Sequence, residues 1–193
     1  MGVEFELKFS ATKDVLSVIC QAVDGKEAHY TMRTTYYDTL GKDLSARNWT
    51  LRCRRENEIS VCTLKYPLEG EARGEQEVLC DKIEDAIPML CKQSGLTELE
   101  TLTAGGVVAL CGAAFHRIAK TIRFQDSILE LALDEGSLLG GGREIPLCEV
   151  EVELKEGNTQ DARTYAAILA ATYGLKPQPH SKFRRALDLA KGE

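Results

Sequence analysis

Carboxylates at alternate positions recur near both ends of this 193-residue chain: Glu4 and Glu6 at the start, and Glu149, Glu151 and Glu153 further on. Between them lie cations with the same spacing, Arg52 and Arg54, and further basic residues at Lys65, Arg73 and Arg117. On a strand, residues i and i+2 share a face, so each set places like charges side by side. For one strand alone, the plain explanation is a face turned to water. Repeated over many strands, such faces repel internally and gain little from solvent, so an oppositely charged occupant would relieve them. Carboxylate oxygens suit hard divalent cations, and Arg and Lys suit phosphate oxygens. A metal-bound polyphosphate satisfies both sets at once.

The elements that would hold these residues follow from periodicity. Residues 3 to 9 alternate charged and apolar, a strand with Glu4, Glu6 and Lys8 on one face. Thr12 or Asp14 is positioned to cap a helix to about residue 22. Strands are expected at 30–38, 49–56, 59–66 and 74–79, then a helix at 82–94 despite Pro88 and a second at 97–112 weakened by Gly105-Gly106. Strand pattern resumes at 115–125, 127–134 and 145–155, with Gly136 to Gly142 read as a flexible hairpin loop. Asn158 opens a helix that Gly174 closes, and a last short helix is expected near 181–190. No repeat or low-complexity linker divides the chain, so one α+β domain over 1–193 is the expectation.

Composition narrows the function classes. With 44% hydrophobic and 28% charged residues, the chain is ordinary for a globular protein. A formal charge of −6 and a pI near 5.3 argue against general nucleic-acid binding. Seven cysteines without a CxxC pair suit a reducing compartment, and no signal peptide or long apolar run is present, so the expected location is cytoplasmic without a membrane. The glycine stretch lacks Gly-Lys-Ser/Thr and is no P-loop. His29, His116 and His180 form neither a metal spacing nor a Ser/His/Asp set. The oligomeric state is not legible.

Read in order, the motifs resemble those of the CYTH, or triphosphate tunnel, enzymes. Glu4-x-Glu6-x-Lys8 is similar to the family's ExExK motif, and Tyr36-Tyr37-Asp38-Thr39, Leu51-Arg52-Cys53-Arg54, Thr63-Leu64-Lys65, Arg73-x-Glu75, Arg117, Leu131 to Asp134, Glu149 to Glu153 and Ser181-Lys182 follow in the family's sequence. The resemblance is strongest to the bacterial branch that hydrolyses inorganic triphosphate, in which a helical CHAD domain can follow; this sequence ends soon after Lys182. It implies a closed antiparallel eight-stranded β-barrel with helices packed outside. It also implies Mg²⁺ or Mn²⁺ on Glu4, Glu6, Glu149 and Glu151. Lys8, Arg52, Arg54, Lys65, Arg73, Arg117 and Lys182 would hold triphosphate or another small polyphosphate, with Glu75, Asp134 and Glu153 as further lining. Glu4, Glu6, Lys8, Glu149 and Glu151 would form the catalytic group, one of the carboxylates serving as base.

The expected reaction is metal-dependent hydrolysis of inorganic triphosphate to pyrophosphate and phosphate. Thiamine triphosphatase and class IV adenylyl cyclase activities are the alternatives within the family. A non-catalytic polyphosphate- or nucleotide-binding module is the alternative of another class, against which the paired carboxylates speak. Trp49 is assigned to core or rim packing, with stacking on a base or thiamine ring as the alternative. His116 is likewise assigned to packing. The cluster Lys182-Phe183-Arg184-Arg185 reads as a solvated helix face, of which only Lys182 is retained for the site.

Overall fold

The computed structural model describes residues 2–68 and 73–192, with side chains from Phe5 onward. Among the described residues, ten strands form one antiparallel sheet: β1 (Gly2–Glu4), β2 (Glu6–Ser10), β3 (Lys26–Asp38), β4 (Thr50–Glu56), β5 (Ile59–Pro67), β6 (Arg73–Leu79), β7 (Val108–Phe124), β8 (Ser127–Gly140), β9 (Arg143–Glu156) and β10 (Lys176–Pro177). The hydrogen-bonded order is β1-β6-β5-β4-β3-β7-β8-β9-β2-β10. That order is open as a ladder. Apart from the two-residue β10, its two ends are nevertheless consecutive chain, because β1 pairs with β6 and β2 pairs with β9 while only Phe5 separates β1 from β2. The N-terminal strand therefore bridges β6 to β9. With β1 and β2 taken as halves of one strand, and the two-residue β10 set aside, the long strands are the expected eight.

The register sorts the two faces. Glu6, Tyr36, Arg52, Thr63, Glu77, Arg117, Asp134 and Glu149 fall on one face by direct cross-strand pairing and alternation. Leu51, Leu64, Val78, Leu131 and Val150 fall on the other and are buried under helices.

Four helices cover that outer face at two places. α1 (Lys13–Ala22) and α5 (Thr159–Tyr173) close a core of Phe9, Leu16, Ile19, Leu129, Leu131, Val150 and Leu169. α3 (Ile83–Ser94), with the six-residue α4 (Glu98–Thr103), closes a second core of Leu51, Cys62, Leu64, Ile83, Leu90 and Leu99. Each fully buried aliphatic side chain stabilises by roughly 1.5–3 kcal/mol. The starts and stops are local chemistry: the Thr12 hydroxyl accepts from the Val15 amide, the Asn158 side chain accepts from the Asp161 amide, and Gly174 ends α5 at φ 64°. Asp38, fully buried, accepts the Leu44 and Ser45 amides and so anchors the one-turn α2 (Asp43–Ala46). No helix among the described residues is long and apolar enough to cross a membrane.

Two expectations fail on glycine. The helix expected over 97–112 stops at Thr103, because Gly105-Gly106 breaks it, and β7 begins at Val108. Gly136 to Gly142 is not a flexible loop: β8 runs through it to Gly140, and only Gly141-Gly142 turn. Gly140 is needed for close approach, since a Cβ there would collide with the Ala186 carbonyl oxygen.

That collision belongs to α6 (Lys182–Lys191), which departs from the outer layer. Its Ala186 and Leu187 share a core with Met32, Tyr36, Ala113, Phe115 and Leu138, all of which point to the inward face. α6 thus packs against the inside of the curved sheet at one end.

Candidate active site

The inward face encloses a cavity of about 350 Å³, lined by charged groups from nearly every long strand. It contains Glu6 and Lys8 of β2, Arg52 and Arg54 of β4, Lys65 of β5, Arg73 and Glu75 of β6, Arg117 of β7, Glu151 and Glu153 of β9, and Lys182 of α6. Eleven of the fourteen residues singled out from the sequence therefore face one space, as period-2 alternation requires. The other three are placed differently. Glu4 has its backbone in β1 opposite Arg73, and its side chain lies outside the described residues. Asp134 and Glu149 are on the same inward face but are fully buried beneath Lys182 and Arg185 of α6.

Those two join Glu151 in a carboxylate cluster whose oxygens lie within 4.8 Å of one another. Like charges this close persist only if neutralised, and three cations do so. Lys182 Nζ lies 2.8 Å from Asp134 and 2.6 Å from Glu151, and also donates to Glu149. Arg117 grips Asp134 through two bonds of 2.7 Å and reaches Glu151 at 2.5 Å. Arg185 donates to Glu149. Burial raises the Glu151 carboxyl, but Lys182 and Arg117 outweigh it and hold the group well below its ordinary value. Burial lowers Lys182 and Arg117, but the surrounding carboxylates outweigh it and raise both. Glu149 goes the other way: burial, with the adjacent Glu151 charge, pushes it up to about 7 despite Lys182 and Arg185.

The opposite wall has less compensation. Arg54 is buried; its Nε donates to the Thr34 hydroxyl at 3.1 Å, and its nearest carboxylate, Glu56, is 3.6 Å away. Burial and the charges of Arg52 and Arg117 lower its affinity for a proton. Arg52 lies 3.5 Å from Glu75, which also pairs with Lys65 at 3.2 Å. Arg73 is tied to the backbone, donating to the Asn48 carbonyl at 2.7 Å. On β2, Lys8 pairs with Glu6 at 2.9 Å, and Glu6 stands directly across from Glu153. The expected carboxylate group is thus divided: Glu6 sits with Glu153, whereas Glu149 and Glu151 sit with Asp134.

Several participants were missed. Arg185 reads from the sequence as part of a solvated face, although its spacing of three from Lys182 on a helix puts both on one side. Lys155, 2.7 Å from Glu153, and Glu130 also line the cavity. Alternation from Glu149 onward and back from Asp134 would have found both. Trp49 is buried in the α3 core beside Leu51, and His116 is exposed with its ring on the Thr31 hydroxyl, so neither lines the cavity.

The fold and site together define a barrel-like antiparallel sheet with a polar, charge-matched interior. The chain belongs to the CYTH domain family, whose model matches residues 2–187. An inorganic triphosphatase of Haemophilus influenzae is 32% identical over 153 residues, which cover 78% of this chain and 44% of that protein. The chain thus spans under half the length of that relative. Among solved structures, a protein from Pyrococcus horikoshii superposes with a TM-score of 0.66 at 19% identity, covering 96% of this chain and 99% of that one. A Hippeastrum protein, described as a candidate adenylyl cyclase with a dominant triphosphatase activity, gives 0.65 at 17% identity over 100% and 97% of the two chains. At such identities these likenesses speak to the fold.

Proposed function

We propose that the chain is one CYTH domain that hydrolyses inorganic triphosphate to pyrophosphate and phosphate with Mg²⁺ or Mn²⁺. The observation that carries this reading is Arg54, a buried guanidinium beside Arg52 and Arg117 whose ion pair with Glu56, at 3.6 Å, is longer than a hydrogen bond. Such a group is costly in isolation and is stabilised by a polyanion. The H. influenzae relative and the neighbouring carboxylates point the same way.

The donor set fits a hard divalent cation, being all carboxylate oxygen. Asp134 and Glu149 are fully buried and already balanced by Lys182, Arg117 and Arg185, whereas Glu6, Glu151 and Glu153 face the cavity and are the ones that would hold it, with Glu4 added on the family motif. Bound there, the cation would neutralise phosphate charge and acidify a water. The chain does the rest. Arg52, Arg54, Lys8, Lys65, Arg117 and Lys182 hold the phosphate oxygens, so that charge developing on the leaving pyrophosphate meets fixed cations. Arg73, held by the Asn48 carbonyl, stiffens the wall. A carboxylate of the Glu6, Glu151 and Glu153 group accepts the proton of the attacking water. Asp134 and Glu149 orient Lys182 and Arg185. Seven free cysteines fit a cytoplasmic setting.

The test is release of phosphate and pyrophosphate from triphosphate, thiamine triphosphate and ATP, each with Mg²⁺, Mn²⁺ or EDTA, beside Arg54→Ala. Metal-dependent turnover of triphosphate, reduced by roughly 10²-fold in the variant, is expected. Preference for an organic triphosphate moves the chain to another branch, and tight binding without turnover makes it a binding module.

A further inference from the structure

The outer face of β4 and β5 carries two thiols that the phosphate chemistry does not use. Cys53 and Cys62 are direct cross-strand partners. Cys62 is fully buried and Cys53 is partly exposed. Both sulfurs reach the same acceptor, the Cys80 carbonyl oxygen, Cys53 at 3.7 Å and Cys62 at 3.3 Å, so the two thiols converge. Facing antiparallel residues have Cα atoms about 4.5–5.5 Å apart, inside the span of roughly 4.4–6.8 Å that a disulfide bridges. The two thiols are also unequal. A hydrogen bond from Cys62 holds the Cys53 thiol below its ordinary value, and the same bond, with burial, pushes Cys62 well up. The accessible sulfur is therefore the better nucleophile, with a protonated thiol in reserve beside it. Cys80, the third sulfur nearby, is turned to the Lys82 carbonyl at 3.2 Å.

We propose that Cys53 and Cys62 form an oxidisable pair that hydrogen peroxide closes to a cross-strand disulfide and that small thiols reopen. The Cys53 thiolate attacks a peroxide oxygen; the O–O bond breaks, leaving a sulfenic acid and hydroxide, which takes up the proton lost by Cys53 as water. Cys62 then attacks the Cys53 sulfur, the S–O bond breaks, and the departing oxygen leaves as a second water with the Cys62 proton. Two thiols give up two electrons and two protons, and one peroxide becomes two waters. Cys53 lies between Arg52 and Arg54, so the bridge would fix the backbone from which both guanidinium groups enter the cavity.

The experiment treats the reduced, folded protein with hydrogen peroxide, alkylates the remaining thiols, digests with a glutamate-specific protease and maps the products by mass spectrometry. The expected product is a monomer lighter by two hydrogens in which the Cys53 and Cys62 peptides are joined by a bond that dithiothreitol opens. In Cys62→Ala, dimedone is expected to trap Cys53 as its sulfenic acid. Full alkylation of Cys53 and Cys62 after peroxide, or linkage of either to Cys80 or to a second molecule, overturns the proposal. Should Cys62→Ala lose the native melting transition, the wild-type map decides alone.

Discussion

Arg54 and Glu149 show, residue by residue, what the interior tolerates. Arg54 is held by a hydroxyl and a carboxylate beyond hydrogen-bond reach, an arrangement that leaves positive potential for a ligand. Glu149 is its counterpart, a carboxylate raised from 4.5 to about 7, chiefly by burial. A carboxyl raised in this way favours the folded state when protonated. Its contribution is complete below pH 4.5 and is lost as pH rises through 7. Glu149→Gln, which keeps the neutral shape, should therefore cost little near pH 5 and gain by roughly 1–3 kcal/mol relative to wild type near pH 8, by urea unfolding of the metal-free protein. A variant that loses equally at both values would show Glu149 ionised throughout by Lys182 and Arg185. These residues differ in how readily the sequence discloses them. Alternating Glu6, Arg52, Arg54 and Glu151 are legible because a strand has a fixed period of two. Arg185 is not, because only packing tells which side of a short helix meets an acid from a strand 36 residues earlier.

At the scale of elements, the strands were legible wherever alternation was clean, and the errors gather on glycine. Gly105-Gly106 reads as a weakness in a helix but ends it, and Gly136 to Gly140 reads as a loop but is strand. Local pattern cannot distinguish glycine chosen for freedom from glycine chosen for close approach, since the second depends on what lies opposite. At Gly140 the opposite partner is the backbone of α6 at Ala186 and Ala190. Gly140→Ala should force that helix away from the sheet, destabilising the fold by roughly 1–3 kcal/mol. Because α6 carries Lys182 and Arg185 into the carboxylate cluster, triphosphate affinity should fall as well. Chemical denaturation and a binding isotherm check this; unchanged values in both would mean that α6 does not depend on the close approach at Gly140.

Over the whole molecule, a chain of net charge −6 keeps many of its cations inside. Outer helices supply apolar cores on one side of the sheet, which frees the other side to be polar, and the N-terminal strand bridges the two ends of the strand order through Phe5. The sequence revealed the curl only through the family resemblance; alternation alone allows an open sheet facing water. The enclosed charges are expected to hold a triphosphate together with its metal. This is tested by a crystal grown with Mn²⁺ and a non-hydrolysable triphosphate analogue, with data collected for manganese anomalous scattering. The expected result is the analogue against Arg52, Arg54 and Arg117, with anomalous density on cavity-facing carboxylates of the Glu6, Glu151 and Glu153 group. Analogue and manganese bound only on the outer surface, with the cavity holding water alone, would contradict it.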